Sequence, residues 1–293
     1  MSTFNIYEEI TNRILAEMEK GIIPWQKPWT CSSGAVSHTT GRPYSLLNQF
    51  LIASGRNFEE FPYGEYLTFK QAKAEGGKVR RGEKGNMVVF WTLYPKERDK
   101  EDGTKTTDFI PCLKSYYVFE VSQCDNIKRR HNPQERNVPN PIYEAEQVVA
   151  EYFGREACKL NVCESSRAYY SPLEDKVTVP RMSQYNSAAE YYSTLFHEVT
   201  HSTGHHSRLG RIKTGAVHFG SEEYSKEELV AEMGAAFMLN RVGVDCQRAF
   251  RNSVAYLQSW SRKFREDPRL FVTAAGKAEA AVKYIINGKE ETK

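Results

Sequence analysis

Apolar positions recur along this chain at two spacings, and the alternation between them sets out its elements. Over residues 4–20 the side chains Ile6, Ile10, Ile14, Leu15 and Met18 lie at helical intervals and Gly21 closes the stripe, which predicts a first helix. Residues 24–29 hold two prolines and two tryptophans and cannot continue it. Shorter helices are predicted over 46–54 and 68–75. Two runs rich in β-branched and aromatic residues, Met87-Val88-Val89-Phe90-Trp91 within 86–94 and Ser115-Tyr116-Tyr117-Val118-Phe119 within 109–121, predict strands. The charged stretch 96–107 between them contains Asp102-Gly103, a hairpin signal.

Periodicity lapses over 126–140, where Pro133, Pro139 and four basic residues accompany little apolar content, and this predicts a linker. Beyond it the pattern predicts a helix over 141–160, a hairpin over 169–179 and a helix running up to Gly204, whose tolerance of the left-handed conformation makes it a natural stop. A helix over 225–239 with Ser225 as its N-cap follows, and helices over 249–264 and 268–286 close the chain. The sequence therefore reads as an α+β protein of two domains, a mixed α/β domain over 1–125 and a mostly helical domain with a small sheet over 141–293.

The helix that ends at Gly204 contains Leu195-Phe196-His197-Glu198-Val199-Thr200-His201. Residues four apart stack on one helical face, so His197 and His201 can reach a single ion, with Glu198 at the rim as general base for attack on an amide carbonyl. Four of the seven histidines (His197, His201, His205, His206) fall within ten positions, which core packing does not explain. A catalytic site of this kind needs a third protein ligand. A histidine three residues past Gly204 would supply one, but that position is Ser207 and His206 falls one residue short. The following helix offers Glu228 as the ligand and, on the same face, Glu232 to orient a ligand imidazole through its free N–H. Tyr224 is the first candidate for an oxyanion donor and His218 the second, because both lie between the metal helix and Glu228. Two imidazoles, a ligand carboxylate and an adjacent glutamate form the peptidase set rather than a nuclease set. Zn²⁺ is the expected ion, with Mn²⁺ or another divalent ion as alternatives.

H-E-x-x-H followed by E-x-x-A-[D/N/E] resembles the glutamate zincins, with Glu228 as ligand. A longer run is similar to the C-terminal domain of ArdC-type plasmid antirestriction proteins: His197 to Leu209, Phe219-Gly220-Ser221 with Tyr224, and Glu227 to Glu232. That resemblance implies a metallopeptidase-like fold.

Composition narrows the picture. The 293 residues carry a net charge of +3, and residues 1–125 balance sixteen basic against sixteen acidic side chains, so nucleic-acid binding must come from local patches. Six cysteines without a C-x-x-C pair read as reduced thiols. No apolar run approaches the eighteen or so residues of a membrane span, and the acidic, amphipathic start is unlike a signal peptide, so a cytoplasmic protein is expected.

Half of the 36 aromatic residues lie in the first 125, several beside cations: Trp25-Gln26-Lys27-Pro28-Trp29, Gly41-Arg42-Pro43-Tyr44 and Thr68-Phe69-Lys70. Residues 70–84 add Lys70, Lys73, Lys78, Arg80, Arg81 and Lys84 against Glu75 and Glu83, a local net of +4. Planar rings beside cations suit stacking on unpaired bases with neutralised phosphates. Trp25, Lys27, Trp29, Arg42, Tyr44, Lys70, Lys78, Arg80, Arg81 and Lys84 are thus candidates for contact with single-stranded DNA. The motifs around Pro24 to Trp29, Gly41 to Asn48, Thr68 to Ala72 and Gly77 to Gly85, leading into Val88 to Trp91, resemble the ArdC N-terminal domain, which also opens some plasmid primases and is associated with single-stranded DNA. The resemblance implies protection of incoming conjugative DNA from host restriction. Two expectations follow from it: a DNA-recruited metallopeptidase that cleaves a host protein such as a restriction component, or a protein that shields the strand by occupancy and uses its metal domain structurally or for partner binding.

Overall fold

The computed structural model describes residues 5–21, 23, 34–55, 64–99, 105–131, 141–212, 222–244 and 254–289. The chain divides into two compact units, residues 1–10 with 34–133 and residues 11–33 with 134–293. The division falls inside the first helix, α1 (Ile6–Glu19).

The first unit is built from β1 (Val36–Ser37), α2 (Leu46–Gly55), β2 (Glu65–Thr68), α3 (Phe69–Ala74), β3 (Lys78–Val79), β4 (Asn86–Asp99), β5 (Lys105–Glu120) and β6 (Cys124–Asp125). Its main sheet has the order β1-β2-β5-β4, parallel between β1 and β2 and otherwise antiparallel, and β3 pairs with β6. One apolar cluster gathers Ala35, Ile52, Tyr66, Val88 and Val118, with Tyr44 packed against it. A second gathers Leu67, Ala72, Val121 and Cys124. The chain turns from β2 into α3 at a capping box, in which Thr68 Oγ1 accepts from Gln71 N at 3.2 Å and Gln71 Oε1 accepts from Thr68 N at 2.7 Å. Edge strand β4 would expose unpaired backbone, and Asn48 on α2 covers it: its amide donates to Val89 O at 2.8 Å and its Oδ1 accepts from Val89 N at 2.7 Å.

Both long strands run past their predicted limits, so most of the charged stretch expected to connect them is ladder. The pairing hydrogen bonds belong to the backbone, and an antiparallel ribbon accepts charged side chains wherever it faces water. Asp102-Gly103 lies outside the described residues. Residues 130 and 131, near the start of the expected linker, are tied to the first unit: their backbone N–H groups donate to the buried Glu65 carboxylate, whose other partner is the buried His38 at 2.5 Å.

The second unit contains α4 (Pro141–Arg155), β7 (Lys159–Cys163), β8 (Tyr169–Ser171), β9 (Lys176–Pro180), α5 (Ala188–Thr203), α6 (Glu222–Val242), α7 (Val254–Glu266) and α8 (Leu270–Asn287). Helix α4 stops at Arg155, short of the predicted 160, because residues 159–163 pair in parallel with β9. The predicted hairpin over 169–179 is present as β8 and β9. Helices α5 and α6 pack through buried Tyr192, Leu195, Phe196 and Val199 on one and Leu229, Val230, Met233 and Ala236 on the other. Among the described residues no helix is long and apolar enough to cross a membrane.

Candidate metal centre

Helix α5 starts where Ser187 Oγ accepts from Glu190 N at 3.2 Å, a side-chain N-cap. It ends at Gly204, whose φ of −75° is right-handed, unlike the left-handed stop expected. Glycine is needed there for closeness: an added Cβ would stand 2.8 Å from Ile212 Cγ1 and 3.0 Å from His201 O. Arg208 anchors the chain just beyond. Its Nε donates to Ser202 O at 2.7 Å and its Nη1 to Asp175 Oδ2 at 3.0 Å, which joins the end of α5 to the β8–β9 hairpin.

One turn of α5 brings His197 Nε2 to 3.1 Å from His201 Nε2. Glu228, on α6, closes a triangle, with Oε2 3.5 Å from His197 Nε2 and Oε1 3.3 Å from His201 Nε2. For ligand bonds of 2.0–2.1 Å, the edges of a coordination tetrahedron are about 3.3 Å, so the three donors stand where one ion would hold them. Two bare imidazole nitrogens this close repel unless a proton or a metal ion lies between them. The protonation of the free cluster shows the same demand. Burial pulls the His201 pKa down, but the carboxylates of Glu227 and Glu228 facing its two nitrogens, with the charge of Glu198, overcome this and raise it to about 10. Burial pushes Glu228 up, and its hydrogen bonds to the two imidazoles prevail and hold it well below the usual carboxylate range. The donors fit a divalent metal.

Glu198 is buried, and its charge acts on His201 and Tyr224. Tyr224 belongs to the first turn of α6, not to a loop, because that helix begins at Glu222, and Ser225 is therefore inside it rather than its N-cap. One turn from Glu228 along the helix, the Tyr224 phenol donates to that carboxylate, and burial together with the Glu228 and Glu198 charges raises its pKa. His218 lies outside the described residues. His205 is buried with its Nδ1 2.8 Å from Ser207 Oγ, and neither it nor the exposed His206 belongs to the triangle.

Glu227 is a residue whose part at the site the sequence reading missed. Its Oε1 stands 3.7 Å from His201 Nδ1, the ring edge that faces away from the ion position. Arg211 grips the same carboxylate with Nη2 at 2.8 Å and Nε at 3.2 Å, and also donates from Nη2 to Thr200 O at 2.9 Å and from Nη1 to Thr203 Oγ1 at 3.0 Å. The doubled Glu227-Glu228 was the only hint in the sequence: adjacent residues point about 100° apart on a helix, so one can ligate while the other reaches the back of a ligand ring. Glu232, expected in that role, lies half-buried one turn beyond Glu228.

Two family models cover nearly the whole chain. The N-terminal domain of anti-restriction factor ArdC matches residues 4–119, and a zincin-like metallopeptidase matches residues 129–277. The chain belongs to the ArdC antirestriction family. It is similar to the antirestriction ArdC protein from the R388 plasmid in its Mn(II)-bound structure, at 32% identity and a TM-score of 0.74 over 99% of this chain and 100% of that one. The metal-free structure of the same protein gives a TM-score of 0.69 over 96% and 97%. DNA primase TraC of Escherichia coli is 30% identical over 96% of this chain, but the chain spans only 20% of that primase's length. Protein y4eC of Sinorhizobium fredii is 30% identical over 94% of this chain and 89% of its own. In the ArdC first domain Lys70, Lys78, Arg80, Arg81, Lys84 and Arg42 are exposed. The β3–β6 pairing sets Asp125 beside two of these, 3.7 Å from Lys78 and 4.0 Å from Arg80, while Glu83 stands 3.0 Å from Arg80. The net charge counted along the sequence is thereby reduced. Trp25, Lys27 and Trp29 lie outside the described residues.

Proposed function

We propose that this protein is an antirestriction protein of a conjugative plasmid, acting in the cytoplasm, that binds incoming single-stranded DNA through its first unit and hydrolyses peptide bonds of a protein met on that DNA through its second. The observation that carries the catalytic half is the triangle of His197, His201 and Glu228 with Glu198 beside it. Zn²⁺ held by the three ligands would polarise the scissile carbonyl and lower the pKa of the attacking water. The Glu198 carboxylate takes a proton from that water as the new C–O bond forms, and returns it to the amide nitrogen as the C–N bond breaks. Tyr224 turns its hydroxyl from Glu228 to the oxyanion that develops on the former carbonyl. A host restriction component is the substrate this reading favours.

A second reading is favoured by the aromatic and cationic groups of the first unit, which need no metal: occupancy of the strand alone protects it. Comparing Glu198→Gln and the double variant Arg80→Glu/Arg81→Glu with the parent separates the two. The hydrolytic reading expects Glu198→Gln to keep metal and DNA affinity while losing proteolysis and protection from restriction. Full protection by Glu198→Gln, alongside lost protection by the Arg80/Arg81 variant, would establish shielding instead.

A further inference from the structure

Tyr44 opens onto a cavity of about 440 Å³ in the first unit, within the range of roughly 300–1,000 Å³ common to ligand pockets. Phe90 on β4 and Tyr116 on β5 line it with inclined rings, 5.8 Å apart between centroids at 64° to each other, and Tyr44 stands 6.3 Å from Phe90 at 50°. These two rings are 44% and 43% exposed although they extend the same sheet face whose Val88 and Val118 are fully buried. Large rings left in water at the mouth of a cavity mark a place where something flat is received. The rest of the lining selects among flat ligands. Among the described residues, Arg42 is the one charged side chain lining the cavity, and it is a cation. Thr40 and Gln71 add neutral hydrogen-bonding groups, and the Gln71 amide is held in place by the capping box at the start of α3.

We propose that this cavity is a nucleobase pocket, which takes one unpaired base of the bound strand between the inclined rings of Phe90 and Tyr116, face-on to one and edge-on to the other, and its phosphate on Arg42. The proposal rests on the reading of the first unit as a single-strand binder and gives that reading a specific seat. Stacked bases of a duplex offer no free faces to such rings, whereas a splayed base offers two. A cation in the described lining, with no carboxylate among the described residues there, favours a ligand that carries phosphate.

The test is equilibrium binding of the full chain to a fluorescein-labelled oligothymidylate across a salt series. Phe90→Ala and Tyr116→Ala should each weaken binding on the order of tenfold, the stacking of about one base, without changing the salt slope. Phe90→Trp should restore affinity. Arg42→Ala should instead reduce the salt slope by about one phosphate's worth. Unchanged affinity in both alanine variants, or a loss accompanied by a shallower salt slope, would overturn the pocket while leaving single-strand binding intact. Absence of binding by the parent chain would remove both.

Discussion

Gly234 of α6 lies directly against Thr200 of α5, and it offers a direct test of how the candidate metal site is held. A Cβ added there would stand 2.6 Å from both Cγ2 and Oγ1 of Thr200 and 3.1 Å from its Cβ. Thr200 cannot swing aside, because it is fully buried, β-branched, and donates from Oγ1 to Phe196 O at 2.7 Å. At an open helical position, Gly→Ala stabilises by up to about 1 kcal/mol through propensity. Forced overpacking costs about 1–3 kcal/mol. Gly234→Ala should therefore destabilise the protein by about 1 kcal/mol net, lowering Tm by roughly 2–4 °C. Thr200→Ala removes the obstructing atoms, so the double variant should show a coupling energy of about 1–3 kcal/mol between the two sites. Metal affinity should fall in Gly234→Ala, since α5 carries His197 and His201, α6 carries Glu228, and the triangle edges are only 3.1–3.5 Å. Urea unfolding of the metal-free and zinc-loaded forms, with zinc affinity from competition against a chelating dye, measures both effects. A gain of about 1 kcal/mol with unchanged zinc affinity, as expected of an unobstructed helix glycine, would refute the close-approach argument.

Further outcomes follow from the same site. His201→Ala should lose the divalent ion while Glu232→Gln retains it at one per chain by metal analysis, and loss in the second variant with retention in the first would reverse the ligand assignment. Glu227→Gln should keep all three ligands yet weaken metal affinity about 10–100-fold, because the carboxylate behind His201 Nδ1 no longer orients the ring; unchanged affinity in a chelator competition would remove that role. Asp175 is pushed up by burial, but its hydrogen bonds from Arg208 and Tyr170 prevail and hold its pKa below the ordinary carboxylate value. A depressed folded pKa contributes stability above the unfolded value of about 3.9 that is lost as pH falls through the folded one. Asp175→Asn should accordingly lower the urea midpoint at neutral pH, and its deficit should shrink below about pH 4; a deficit that stayed constant into acid would contradict the ion-pair account.

What the sequence by itself determined is what depends on neighbours within a few residues. His197 and His201 share a face because any helix puts i and i+4 together, and the N-cap at Ser187 and the strands around Val88 and Val118 follow from local spacing in the same way. Glu228 was legible as a candidate third ligand because a second amphipathic helix follows and the two histidines left a position to fill, and the fold brings its carboxylate to both rings. Tertiary structure decided the rest. Glu227 and Arg211 meet behind His201 only because α6 packs on α5, and Gly234 matters only because of that same approach. Phe90 and Tyr116 read only as strand residues, and it is the β4–β5 register, joined by Tyr44 from elsewhere in the chain, that gathers them around one cavity. Asp125 tempers the basic stretch through strand pairing, at a distance no local charge count covers. Helical and strand periodicity report which face of an element is apolar, but the partner met by that face is chosen by packing between segments far apart in the chain.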